Sequence, residues 1–86
     1  MAFESTNEKA QPERQITEGQ KAVSLFDFEN GNPKLFEHKK VIAALIDEID
    51  ALRASTPNGG AKRYCALTIT ALEEVDHWAE KAHRLA

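Results

Sequence analysis

Two long amphipathic segments divided by a short break, with little else in the chain to pack against them, set the limits on what this sequence can become. The break is the stretch STPNGGAK, residues 55–62. Pro57 lacks the amide hydrogen that a helix interior requires, and Gly59-Gly60 allow a reversal. The sequence predicts one helix from about Pro33 to Ala54 and a second from about Ala61 to Leu85. A connection this short makes them antiparallel neighbours. At 1.5 Å per residue each is roughly 33–37 Å long.

Each predicted helix is apolar over a wide sector. Leu35, Val41, Ile42, Leu45, Ile46, Ile49 and Leu52 recur at helical spacing and cover an arc of about 140°. Lys39, Lys40, Asp47 and Asp50 fall on the other side, and Phe36 points away from the stripe. In the second helix the arc runs from Leu67, Leu85 and Trp78 through Tyr64, Ala71, Val75 and Ala82 to Ala79, Leu72 and Cys65. It spans about 160°, wider than one neighbouring helix covers. Two rods cannot enclose a core between themselves. Either copies of the chain assemble, or residues 15–31 cover the remainder, or both.

Size points the same way. A chain of 86 residues buries a modest fraction of its surface. Cys65 is the only cysteine, so no disulfide can staple the fold, and a lone thiol suits a reducing cytoplasm. Oligomerisation is then the expected source of stability. The fold class expected is all-α: an antiparallel two-helix hairpin with an N-terminal arm or short helix, assembling as a homo-oligomer.

Residues 1–14 are polar, carry Glu4, Glu8 and Glu13, and read as a disordered arm without the apolar core of a signal peptide. Residues 15–31 hold Val23, Leu25, Phe26 and Phe28, enough to dock on something and too few to fold alone. Asn30-Gly31 reads as a turn, and Asn32-Pro33 as a helix start, with Asn as cap and Pro at the first helical position. No run approaches the ~20 apolar residues of a membrane span. A net charge of −3 disfavours bulk binding to DNA or RNA.

Charge is unevenly spread. The antiparallel arrangement gathers Lys34, His38, Lys39, Lys40, Lys81, His83 and Arg84 at one end, and Arg53, Lys62 and Arg63 at the other. Asp47, Glu48, Asp50, Glu73, Glu74 and Asp76 hold the middle. Basic ends suit a local phosphate site, or equally a solvated face with ordinary dipole complementarity.

Catalysis finds little support, and no cofactor is expected. Cys65 sits at the edge of the apolar arc, where a buried thiol is ordinary. His38, His77 and His83 have no arrangement with it or with a serine, and Gly59-Gly60 lacks the phosphate-loop pattern. Glu74-x-x-His77 has the spacing of half a di-iron carboxylate site, with Glu48 or Glu37 as the partner acid. Those residues lie on the polar side of both wheels, whereas a bundle-core metal site interrupts the buried stripe. Arg63, Ala66, Thr70 and Glu74 line the margin of the second arc, leaving a shallow dent between a guanidinium and a hydroxyl. Tyr64 adjoins them, and Phe26 and Phe28 can stack on a base. The alternative is a solvated helix edge and ordinary arm packing.

The second helix, read as Arg63, Ala66-Leu67, Thr70, Leu72-Glu73-Glu74 and Trp78-Ala79, resembles small phage proteins with a helical-hairpin domain. That domain is shared by the sponges that counter CBASS, the cyclic-oligonucleotide antiphage signalling system, and by Thoeris anti-defence sponges. The likeness extends to residues 31–54, and so to about 50 residues in all. It implies a non-catalytic homo-oligomer, a hexamer in the better-known cases, in the cytoplasm of the infected bacterium. Such a protein encloses cyclic di- or trinucleotides or cyclic ADP-ribose variants and deprives host effectors of their signal. In one pocket type of the family an Arg and a Thr of the second helix contact ligand, for which Arg63 and Thr70 are the nearest matches. Another uses an arm aromatic and a first-helix Lys, here Phe26 or Phe28 with Lys39 or Lys40. The arm lacks the family's Gly-Tyr-Arg run. The competing expectations are a protein-interaction module gripping through Phe36 and Ile69, and a small oligomeric metal-binding hairpin.

Overall fold

The computed structural model describes residues 15–86. It is all-helical, with no strand among the described residues. A one-turn helix α1 (Glu18–Ala22) leads through a 3-10 turn (Leu25–Phe28) into two long helices, α2 (Pro33–Ser55) and α3 (Gly59–Leu85). No helix among the described residues is long and apolar enough to cross a membrane. The disordered arm expected at residues 1–14 lies outside the described residues.

Polar side chains set the helix starts. Thr17 caps α1 with a reciprocal pair of hydrogen bonds: its hydroxyl accepts from the Gln20 amide, and the Gln20 side chain accepts from the Thr17 amide. Asn32 accepts from the amides of Lys34 and Leu35 at 2.9 and 3.1 Å, with Pro33 at the first helical position. The second long helix begins earlier than the glycine pair suggests. Asn58 accepts from the Ala61 amide at 2.9 Å, so Gly59 and Gly60 form the first turn of α3 rather than the reversal. Neither has positive φ. Thr56, Pro57 and Asn58 alone make the connection. Ser24, between α1 and the 3-10 turn, takes the left-handed conformation with φ 53°.

Contacts between the two long helices fix how α3 lies against α2. Near the start of α2, His38 meets His83 near the end of α3. Lys39 meets Asp76 and Glu80. At the far end, the Lys62 ammonium donates to the Arg53 carbonyl at 2.9 Å, satisfying an acceptor in the last turn of α2. The arm packs on α2, where Val23 and Leu25 join Ile42, Ala43 and Ile46 in the buried cluster, flanked by Phe26, Phe36, Ile69 and Leu72.

The buried faces are rotated from those the apolar stripes predict. On α2 the buried positions are Leu35, Lys39, Ile42, Ala43 and Ile46. Lys39, placed by pattern on the polar side, is 0 % exposed. Phe36, expected to point away, packs against the core. Val41, Leu45 and Leu52 of the predicted stripe are exposed. On α3 the buried positions are Cys65 and Asp76, with Ile69 and Leu72 half-buried, whereas Tyr64, Leu67, Val75, Trp78 and Leu85 are exposed. The cause is the arm. It occupies the Lys39–Ala43–Asp47 side of α2 and draws the buried sector toward itself. Among the described residues, the far side of each apolar arc is left without a neighbour.

Candidate functional site

Of the expected ligand-binding residues, Phe26 and Lys40 line one concavity. It is a cleft of about 320 Å³ between the 3-10 turn and α2, bounded also by Gln20, Phe36, Ala44 and Asp47. Its volume is near the lower end for small-molecule sites. Leu25 is buried and fastens the turn to the core, which holds Phe26 at the cleft wall. The Lys40 ammonium lies 5.2 Å from the centre of the Phe36 ring and 2.9 Å from the Glu37 carboxylate. Both members of that ion pair are exposed, so the attraction is weak and a phosphate can compete for the ammonium. The cleft therefore offers two aromatic rings and a cation within reach of each other. Phe36 was not among the expected site residues. Its place on the wheel, beside Lys40 and off the main stripe, was the available signal.

Lys39 and Phe28, the other lysine–aromatic combination, meet inside the protein. The Lys39 ammonium lies 4.2 Å from the Phe28 ring centre. It donates to the Val23 carbonyl at 2.8 Å, to Asp76 Oδ1 at 2.8 Å and to Glu80 Oε2 at 2.5 Å. An ammonium has three hydrogens and here three acceptors take them. The expectation that Lys39 holds a phosphate is corrected on that ground: its charge is neutralised and its donors are used. Burying a lysine without such partners would cost several kcal/mol. The network instead joins the arm, α2 and α3 at one point.

Arg63, Tyr64 and Thr70 lie on exposed positions of α3. They line none of the described clefts. Thr70 donates its hydroxyl to the Ala66 carbonyl one turn earlier, at 3.2 Å. Arg63 is thirteen residues from Asp76, about 20 Å along the helix axis. Arg63 and Lys40 thus cannot grip one small ligand within a single chain.

A larger groove, about 540 Å³, runs between α1 and the loop-side halves of α2 and α3. Its cations are Lys21, paired with Glu18 at 3.3 Å, and Arg53, paired with Asp50. Glu73 adds a third acid. Mixed charge of this kind gives no net attraction for an anion.

Glu74 and His77 are both exposed on α3. The group whose ligand atoms do lie within 4.8 Å of one another is Asp76, His77 and Glu80. Both of its carboxylates are already bonded to Lys39, so an ammonium fills the place of a metal ion.

One exposed face among the described residues is apolar. Val41, Leu45 and Leu52 on α2, with Tyr64, Val75 and Trp78 on α3, lie on the far side of each helix from the arm. Leu67 borders them, and Trp78 is 66 % exposed. Large apolar side chains exposed to this degree mark a surface suited to association.

No protein-family model, curated protein or solved structure matches this chain.

Proposed function

We propose that the chain is a helical-hairpin sponge. In this reading it assembles as a homo-oligomer and sequesters a cyclic nucleotide second messenger without cleaving it. The cleft that gathers Phe26, Phe36 and Lys40 is the observation that supports this reading. Aromatic rings stack on bases of any identity, and an ammonium pairs with a phosphate. One cleft holds one base and one phosphate. A cyclic di- or trinucleotide has two or three of each, so copies of the chain must supply the rest. The exposed apolar face provides the means of bringing copies together. Arg63, Thr70 and Tyr64 would act in a second pocket formed only between chains. The resemblance of the second helix to the phage sponges supports the same ligand class, a hexameric assembly and action in the cytoplasm of an infected bacterium.

Isothermal titration against cyclic dinucleotides, cyclic trinucleotides and cyclic ADP-ribose variants tests the proposal. Binding with unaltered ligand recovered after denaturation is expected; no heat from any of them ends it.

A second reading takes the apolar face as the grip for a different protein. Phe36 and Ile69 pack against the core, so Trp78, Tyr64 and Leu45 would carry that contact instead. A stoichiometric foreign partner, with no nucleotide bound, distinguishes it.

A further inference from the structure

We propose that His38 and His83 form a two-histidine site for a late first-row divalent cation, with Cu²⁺ and Ni²⁺ suited by geometry. The inference is independent of the sponge reading. His38 is near the start of α2 and His83 near the end of α3, so the two rings come from residues far apart in sequence. His38 Nδ1 and His83 Nε2 are 2.8 Å apart, and the ring centres 4.9 Å apart with planes tilted by 51°.

An imidazole nitrogen binds such metals at about 2.0–2.1 Å. Two of them at a right angle around one ion stand about 2.9 Å apart, and at a tetrahedral angle about 3.4 Å. The observed separation matches the right angle of square-planar or octahedral coordination, the preference of Cu²⁺ and Ni²⁺. It is short for tetrahedral Zn²⁺.

The proton bookkeeping closes without a co-reactant. In the hydrogen bond, one facing nitrogen carries a hydrogen and the other accepts it. On metal binding the donating ring moves its proton to its outward nitrogen, Nε2 of His38 or Nδ1 of His83. Both rings stay neutral, both facing lone pairs are released, and each ring turns by about 45° so that the lone pairs converge on the ion at a right angle. Water completes the coordination. Lys34 and Arg84, close by in sequence, oppose a cation, so chelation must outweigh their repulsion. Closing this clip would tie α2 to α3 just beyond the Lys39 network, at the end of the helix pair remote from the 56–58 connection.

The full chain is titrated with NiCl₂ and CuCl₂ and its melting temperature followed. One equivalent bound per chain is expected, with a rise of several degrees that EDTA reverses. His38→Ala and His83→Ala should each weaken binding at least tenfold, and His77→Ala should leave it unchanged. His83→Gln, which keeps a hydrogen-bonding partner for His38 while removing the ligand, should behave as His83→Ala and retain the fold by circular dichroism. The assignment is overturned if the wild-type chain binds neither ion, if binding survives loss of His38 or His83, or if His77→Ala abolishes it.

Discussion

Gly19 of α1 lies so close to Ala43 of α2 that a methyl group added at Gly19 would stand 2.1 Å from the Ala43 carbonyl oxygen. The Gly19 amide also donates to Asp47 Oδ1 at 2.8 Å. Backbone meets backbone here, and no flexible side chain can give way. Gly19→Ala should therefore lift α1 off α2 and cost about 2–3 kcal/mol. Urea denaturation measures the loss, and proteolysis cutting first between residues 18 and 32 would locate it. An unchanged midpoint would show that α1 contributes nothing to the fold.

Removing the Lys39 ammonium strands Asp76, which is 2 % exposed. Lys39→Met should destabilise the chain by about 3–5 kcal/mol. Adding Asp76→Leu should recover most of that, because an apolar pair of similar volume needs no partner charge, while Glu80 can turn to water. Equal losses in the single and double variants would mean that the Val23 carbonyl, not the carboxylate, is what Lys39 chiefly serves.

If the apolar face joins copies of this chain, Trp78→Glu and Leu45→Glu should each reduce the mass measured by light scattering toward that of a single chain. Helix content should persist, since neither side chain belongs to the buried cluster. A monodisperse wild-type monomer would refute the assembly.

In the nucleotide titration, Phe26→Ala should weaken binding by about 1–3 kcal/mol through lost stacking. Lys40→Ala should weaken it by about 1.5–3 kcal/mol through a lost charged hydrogen bond, and more at low salt. Lys39→Gln in a folded variant should weaken binding only as far as it loosens the arm. Full affinity in the Phe26 and Lys40 variants would move the ligand elsewhere.

Some of this was legible in the residues themselves. Asn32-Pro33 names its own cap, and helical spacing identifies both long helices. The break at Pro57 is equally plain, although the Asn58 cap was masked by the two glycines after it. What periodicity cannot reveal is which part of a wide apolar arc finds a neighbour. That depends on where residues 18–28 dock, a choice set by the small side chains at Gly19 and Ala43. Lys39 was misread for a related reason. A lysine on a wheel is scored as polar, and only the approach of Val23, Asp76 and Glu80 from two other elements makes burial tolerable. The resemblance leaves Phe26 or Phe28 with Lys39 or Lys40 open, and the wheel turns Phe36 away from the stripe because periodicity cannot place the arm that packs beside it.

Lys39 and Lys40 are neighbours in sequence with opposite fates. One ammonium has all its hydrogens engaged beneath the surface, and the other is open to solvent. An amine-acylating reagent will therefore mark the second promptly and reach the first only when the arm and α3 part from α2. The adjacent pair is a built-in clock: the lag between the two modifications times how often the molecule opens.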